Sequence, residues 1–170
     1  MKHTWPTYAV LMGLAGGVAC IVYYLLLPLF CINPFWTARE GRVIIILAML
    51  VGGMILFRRN QPDGRMHLWE GLFMGGISWS LLTALSAMGL YLIAQYIAPD
   101  LLENYIQLSL ERLESMREQH VEKLGVESFE AMQQGIRALR AGGVVRDEVV
   151  KNAIYGFFLI PLISMIFRKQ

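Results

Sequence analysis

The sequence predicts an all-α polytopic membrane protein with four transmembrane helices and an extracytoplasmic helical hairpin between the third and fourth helices. The first reason is composition: the 170 residues are 56% hydrophobic and 16% charged, whereas soluble domains carry about 25% charged residues. The second is the grouping of apolar residues into four long segments. The third is a single charged, helix-patterned insert. We interpret the chain as one membrane domain, 1–170, that contains this insert at 99–148. The apolar segments are residues 8–29, 43–57, 68–97 and 149–167.

The four apolar segments differ in how well their lengths match the thickness of a bilayer. A spanning helix needs about 20 apolar residues, which the first and third segments supply. The second segment is short and is predicted to stand nearly upright. The third would be about 45 Å long as a helix, so it must tilt or project beyond the lipid. The fourth contains Pro161, which lacks a backbone N–H and is expected to kink the helix.

The distribution of basic residues predicts the orientation, because cytoplasmic loops carry an excess of Lys and Arg. The short loop opposite the termini has Arg39, Glu40 and Arg42, and the insert carries more acids than bases. The side that holds the termini is clearly more basic. Both termini are therefore expected in the cytoplasm, with the insert in the periplasm if the cell is Gram-negative. The basic residues on the terminal side are Lys2, Arg58, Arg59, Arg65, Arg168 and Lys169.

The first half of the insert is predicted to be one long helix. Pro99 ends the third span, and Asp100 followed by Glu103 has the spacing of a capping box. Apolar residues then recur every three to five positions, as on one face of a helix. Gly125 is a helix stop signal.

A second, shorter helix is predicted to follow and to fold back on the first. Its end is expected at Gly142 and Gly143, so that the fourth span starts at Asp147. Because two helices bury little surface, the hairpin is also expected to pack on the first loop or on a partner. The apolar face of the second helix is formed by Phe129, Met132, Ile136 and Leu139.

Glu70 is the only carboxylate that we predict inside or at the edge of a span, and ionisable groups in membranes are functional candidates by default. It lies in the first turn of its helix, where the helix dipole favours a negative charge. We therefore favour a surface role for Glu70 over a proton or ion site. His67 could face the same ion, but two ligands are too few for a closed metal site, and no metal is predicted.

Glutamates recur along the first helix of the insert. Such a stripe can bind a basic partner, although it is more often a solvated helix face. We retain it as a possible partner surface. Its members are Glu111, Glu114, Glu118 and Glu122.

Glycines mark two helix faces. Gly13 and Gly17 lie in the first span, and Gly71 and Gly75 form a GxxxG pattern in the third. Glycine lets membrane helices approach closely. Packing within one molecule is the favoured interpretation, and a homodimer, a partner subunit and a lipid-binding groove remain open alternatives.

The sequence carries none of the common catalytic motifs, such as a nucleophile elbow, a P-loop or HExxH, and no aromatic-basic stripe for nucleic acid. We therefore expect no enzyme activity, no cofactor and no nucleic-acid partner. Cys20 and Cys31 are spaced neither for a redox pair nor for a disulfide along one helix. The polar residues of the third span are expected to bond across helices or to their own backbone. They are Ser78, Ser80, Thr83 and Ser86.

The order of these features resembles a known family of small four-helix membrane proteins from the Bacteroidetes lineage, catalogued as the domain of unknown function DUF4199. The most specific part of the resemblance is the segment around Ala98-Pro99-Asp100. The resemblance implies a place in the bacterial inner membrane and implies no activity. The other matching features are Tyr8, Gly13, Gly41, Arg58-Arg59, Gly64, Gly71, Gly75, Pro161 and Arg168-Lys169.

Three functions fit these expectations. The favoured one is a non-enzymatic accessory, assembly or interaction subunit that uses the extracytoplasmic hairpin. The alternative is an oligomeric carrier of small molecules or ions, or a lipid-binding membrane protein. The second alternative is a subunit of an enzyme that acts on a lipid-linked substrate. The expected partners are the lipid bilayer and either a second copy of the chain or a membrane partner protein.

Overall fold

The computed structural model of the chain describes residues 5–35, 41–61 and 64–168. Nearly all of these residues are helical, which confirms the all-α prediction. A 3-10 turn, Leu27–Phe30, continues the first helix, and a π-helical turn, Ile93–Ile97, continues the third. The α-helices of the described residues are α1 (Trp5–Leu26), α2 (Arg42–Arg59), α3 (Leu68–Leu92), α4 (Pro99–Ser115), α5 (Arg117–Leu124), α6 (Val126–Arg137) and α7 (Ala141–Phe167).

Three helical segments within the described residues are long and apolar enough to cross a membrane. They are Trp5–Phe30, Leu68–Ile97 and Ala141–Phe167, and they indicate a membrane protein. The segment Leu68–Ile97 has the same bounds as the third of the four apolar segments predicted from the sequence. Helix α2 is not one of the three, because its 18 residues include three arginines, one at its start and two at its end.

Helix α3 is the central helix of the membrane part. It packs along α1 on one side and along α7 on the other, and α2 packs on α1 and α3. In the most apolar window of each helix, 56% of α3 is buried, against 33% of α1 and 22% of α7. Helix α7 is therefore peripheral, and much of its apolar surface, including Phe157 and Phe158, is exposed. In a bilayer this surface would face lipid.

The fourth long helix begins six residues before the predicted start at Asp147. Gly142 and Gly143 do not end the preceding helix, because α6 ends at Arg137 and both glycines lie in the first turn of α7. Ala141 and Val144 are buried against the membrane helices, so tertiary packing outweighs the low helix propensity of glycine here. The helix also continues through Pro161.

The first half of the insert is two helices rather than the single one predicted. Met116 leaves the helical region with φ −105° and ψ 15°, and it separates α4 from α5. Pro99 occupies the first turn of α4 after the cap residue Ala98, so Asp100 lies inside the first turn rather than at the cap. Gly125, at φ 82°, ends α5 as expected.

The base of the insert packs on the membrane helices and on the segment that follows α1. The Asn33 side chain donates a 2.8 Å hydrogen bond to the carbonyl of Leu101, and the rings of Phe35 and Tyr105 are 6.2 Å apart. The sequence led us to expect that the insert packs either on the first loop or on a partner, and the first of these is observed. We call the apolar contact at this level the basal core. It is made of Tyr24, Leu27, Phe35, Leu90, Ile93, Ala94, Leu102, Ala141 and Val144.

The outer part of the insert, residues 117–137, buries very little. Helices α5 and α6 pack on each other, and α6 also packs on α4. No residue of α5 is buried, and α6 buries only Phe129. The guanidinium of Arg117 lies 5.7 Å from the centre of the Phe129 ring. The outer insert is therefore a folded helical element whose side chains are mostly exposed.

Candidate functional site

A polar cluster is buried where the four long helices α1, α2, α3 and α7 meet. Arg42 is 2% exposed, and the four other members are fully buried. Each helix contributes at least one residue, so the cluster joins elements that are far apart in sequence. Its members are Tyr24 from α1, Arg42 from α2, Ser86 from α3, and Glu148 and Asn152 from α7.

Arg42 is the charged centre of the polar cluster. Its Nη1 forms an ion pair with Oε2 of Glu148 and donates a 2.7 Å hydrogen bond to the hydroxyl of Tyr24. Its Nη2 donates to Oδ1 of Asn152 over 3.1 Å. The planar guanidinium suits this arrangement because its donors point in fixed directions. One donor, Nε, has no partner among the described residues.

The carboxylate of Glu148 accepts hydrogen bonds on both oxygens. Oε2 faces Arg42, and Oε1 accepts from Tyr24 at 3.2 Å, from Asn152 Nδ2 at 3.3 Å and from Ser86 at 3.4 Å. A buried charge is tolerated when it is paired and hydrogen-bonded. Glu148 meets both conditions.

The buried face of α7 explains how Glu148 and Asn152 reach the cluster. Val144, Glu148, Asn152 and Gly156 follow each other at four-residue intervals and are all buried, as residues on one helix face are. The indole N–H of Trp79 donates to the carbonyl of Asn152 over 2.9 Å. A Cβ on Gly156 would lie 2.7 Å from that indole nitrogen, so glycine lets the Trp79 ring lie against α7.

The polar cluster is a closed structural network. Its charges are paired within the protein, and the helices around it bury every member. A small cavity between α1, α2 and α3 is lined by apolar residues such as Met12, Met49 and Leu82, and its lining includes no side chain of the cluster. Buried networks of this kind fix a particular arrangement of helices. The polar cluster thus connects α1, α2, α3 and α7.

The sequence analysis missed Tyr24, Arg42, Glu148 and Asn152, and the statement that Glu70 is the only carboxylate within a span is wrong. Glu148 lies inside α7, and the error came from starting the fourth apolar segment at residue 149, one position after it. A signal was present in the sequence, because Glu148 and Asn152 are spaced as neighbours on one helix face. Arg42 had been counted with the loop before the second helix.

Glu70 and His67 lie at the N-terminus of α3, away from the polar cluster. Oε2 of Glu70 accepts the backbone N–H of His67 at 2.9 Å and lies 3.3 Å from His67 Nδ1. Glu70 thus caps its own helix, which supports the surface role favoured from the sequence. Among the residues that the structure describes, no group of three or more His, Cys, Asp or Glu is placed to hold a metal ion.

The four glycines singled out in the sequence lie at contacts between helices of the same chain. A Cβ on Gly13 or Gly17 would meet α3 at Leu81 or Leu85. A Cβ on Gly71 or Gly75 would meet α7, at Ser164 or Ile160 respectively. The structure thus places these glycines where intramolecular packing needs them.

The polar residues of α3 take three different positions. Ser78 donates across to the carbonyl of Ala9 in α1 at 2.9 Å, and Ser86 donates to Glu148, so both bond across helices as expected. Ser80 is exposed. The buried Thr83 hydroxyl has no partner within the described part of the chain.

The glutamates of the insert remain on its surface. Glu111 and Glu114 belong to α4, Glu118 and Glu122 belong to α5, and all four are exposed. The break at Met116 divides them into two pairs. Glu114 forms a 3.2 Å ion pair with Arg117, which contributes little at an exposed position.

Comparison with known proteins identifies the family. The family model described as "Protein of unknown function (DUF4199)" matches residues 9–169, which is nearly the whole chain. No curated protein and no solved structure matches it. The chain therefore belongs to the DUF4199 family of proteins of unknown function, as its resemblance had suggested.

Proposed function

We propose that the protein is a non-enzymatic accessory or assembly subunit of the bacterial inner membrane, and that the outer insert is its partner-binding element. The observation that carries this proposal is the low burial of residues 117–137, where Phe129 is the one buried residue. A helical element that packs so little on its own chain is available for contact with another protein. The polar cluster is compatible with the same proposal, since Glu148 and Arg42 are buried and paired with each other.

The proposed topology has four spans, with α2 as the second. Two hydrogen bonds at opposite ends of α1 support it. Tyr24 near one end accepts from Arg42 at the start of α2, and Tyr8 near the other end accepts from Asn60, just after α2, at 2.6 Å. Helix α2 therefore runs antiparallel to α1 across nearly the same depth.

The proposed orientation has both termini in the cytoplasm and the insert in the periplasm. Arg42 was one of two arginines assigned to the short loop on the insert side. Because it is buried and paired with Glu148, it no longer counts as a basic loop residue. The excess of basic residues on the side of the termini is thereby larger than the sequence alone suggested, which supports the orientation.

Cysteine labelling tests the topology. Cys20 is buried and Cys31 is exposed, so a Cys31→Ser background leaves one protected thiol. In that background, Glu118→Cys should react with a membrane-impermeant maleimide in intact spheroplasts, and Arg65→Cys should react only after permeabilisation. The opposite pattern would reverse the orientation and remove the insert from the periplasm.

Site-specific photo-crosslinking tests the partner-binding role. A photoreactive residue at Glu118 or Glu122 should give one discrete adduct in cells, with a protein that also co-purifies in fixed ratio. The same residue at Phe158, on the exposed face of α7, is the matched control and should not give that adduct. With the photoreactive residue at Glu118, the substitution Glu122→Lys should weaken the adduct while the protein stays folded, and Glu118→Lys should do so when the photoreactive residue is at Glu122. Absence of any adduct along 117–137 would contradict the proposal.

An oligomeric ion carrier is the second candidate, because an Arg–Glu pair lies among the membrane helices and such groups often mark ion pathways. It ranks lower since Glu148 is fully hydrogen-bonded and sealed. Ion flux in reconstituted vesicles decides between the two. A carrier that uses Glu148 would lose flux in Glu148→Gln, whereas the accessory role requires no flux in either protein.

A further inference from the structure

Helix α2 is the long helix least suited to enter lipid by itself. Between Arg42 and Arg58 it has only 15 residues, which span about 22 Å, less than the hydrocarbon thickness of about 30 Å. Arg42 nevertheless lies buried among the other helices and is 2% exposed. An arginine at such a site needs an anionic partner in the folded state.

That partner comes from the last helix of the chain. Glu148 follows Arg42 by 106 residues, and Asn152, which accepts from the same guanidinium, follows it by 110. The other two long helices, α1 and α3, cannot replace them. The sequence of α1 contains no acidic residue, and Glu70, the one acid in α3, lies at the opposite end of that helix from Ser86.

Apart from this polar connection, α2 and α7 touch little. The helix packs mainly on α1 and α3, which offer Arg42 the neutral hydroxyl of Tyr24 but no countercharge. Side chains of both helices also belong to one apolar core, and the ion pair is the charged link between them. Its loss would leave a buried, charged guanidinium with only the neutral side chains of Tyr24 and Asn152 as partners.

We propose that the Arg42–Glu148 pair is an insertion latch: α2 holds its transmembrane position only when α7 supplies Glu148. The inference rests on the proposed four-span arrangement and adds that the second span depends on the fourth. Without the carboxylate, Arg42 returns to water and draws α2 out of the membrane. An uncharged pair of similar size removes the need for the latch, because no charge then has to be buried.

A cysteine in the middle of α2 reports its position. Gly52 is suited to this use, because a Cβ built on it meets nothing within 4 Å, and the residue is near the centre of the helix. The full-length Cys31→Ser, Gly52→Cys protein is treated in membranes with a water-soluble maleimide. The Cys31→Ser protein without Gly52→Cys measures labelling of Cys20, which stays low while the bundle is folded.

With the native pair, Gly52→Cys should be protected from the reagent. Adding Glu148→Ala should raise its labelling at least tenfold while Cys20 stays protected, which separates displacement of α2 from general unfolding. Adding Arg42→Met together with Glu148→Met should restore protection.

The outcomes separate the latch from the topology on which it rests. Labelling of Gly52→Cys with the native pair would overturn the four-span arrangement and the latch with it. Equal protection with and without Glu148→Ala would overturn the latch alone, as would a double methionine variant that is labelled as strongly as Glu148→Ala. Labelling of Cys20 together with Gly52→Cys in Glu148→Ala would assign the change to collapse of the bundle and would also overturn it.

Discussion

At the scale of single residues, Glu148 shows what a carboxylate needs in order to be stable inside a helical membrane protein. It is fully buried, and its oxygens accept from an arginine, a tyrosine, an amide and a serine. Each of these groups comes from one of four helices. Glu148 therefore helps to specify how the four helices pack. We expect this specificity of packing to matter more than the energy of the ion pair alone.

Removing one member of the pair should destabilise the protein strongly. We expect Glu148→Ala to lower the free energy of unfolding by about 3–5 kcal/mol, since Arg42 loses the countercharge that its buried position requires. The measurement is denaturant unfolding in mixed micelles. The double variant Arg42→Met, Glu148→Met is the control and should recover most of the loss. A double variant no more stable than Glu148→Ala would contradict this account.

The hydrogen bond from Trp79 to the Asn152 carbonyl should have a smaller, separate effect. Trp79→Phe removes the donor at a buried site, and we expect a loss of about 1–3 kcal/mol from the unpaired acceptor and the lost ring volume. Trp69→Phe is the matched control, because Trp69 is half exposed and should change stability little. Thermal unfolding of both variants in detergent gives the comparison, and equal effects would argue against a special role for Trp79.

At the scale of elements, the contact between α3 and α7 depends on glycines that allow the backbones to approach. Gly71 and Gly75 present this surface on α3, and Gly156 presents it on α7. The GxxxG pattern in α3 was visible in the sequence. Its counterpart on α7 was not singled out, because one glycine among large apolar residues has no pattern of its own.

An alanine at Gly156 should separate the two helices. Its Cβ would lie 2.7–3.0 Å from the Trp79 ring, and overpacking of this kind costs about 1–3 kcal/mol. Gly76→Ala in α3 is the control, since a Cβ there meets nothing within 4 Å, and it should be neutral or stabilising by up to about 1 kcal/mol. Unfolding curves of the two variants test the expectation, which fails if both behave alike.

A comparison of predicted and observed helix ends shows which sequence signals predict those ends correctly. The third span was predicted correctly because a long apolar run is bounded by Gly64 and Pro99. The start of α7 was placed too late because Gly142 and Gly143 normally favour a helix end, and the burial of Ala141 and Val144 that outweighs them is a tertiary effect. The break at Met116 has no comparable marker, since neither glycine nor proline stands near it.

At the scale of the whole molecule, the fold has two apolar regions, one among the membrane helices and one at the base of the insert. The membrane character and the start of the insert at Pro99 could be read from composition and charge, whereas its end was placed eight residues inside α7. The polar cluster could not, because its members come from four helices and only the packing of those helices brings them together. A single sequence shows that Glu148 and Asn152 are four residues apart on α7, but it does not show that Glu148 pairs with Arg42.

The basal core should determine how firmly the insert is held. We expect Leu102→Ala, at a buried position, to destabilise the protein by about 2–5 kcal/mol and to speed proteolysis within residues 99–140. Leu108→Ala is the control, because Leu108 is 46% exposed, and it should fall within about 0.5 kcal/mol of the parent protein. Limited proteolysis of membranes measures the difference. Equal digestion rates would show that Leu102 does not anchor the insert.

The composition of the basal core also limits how the protein can be divided. Six of its nine members, Tyr24, Leu27, Phe35, Leu90, Ile93 and Ala94, come from outside the insert, and two more belong to the first turn of α7. A recombinant fragment of residues 99–140 would keep Leu102 alone from this set and would expose the surfaces that normally cover it. Biochemical work on the insert of this protein therefore calls for the intact polypeptide in a lipid or detergent environment.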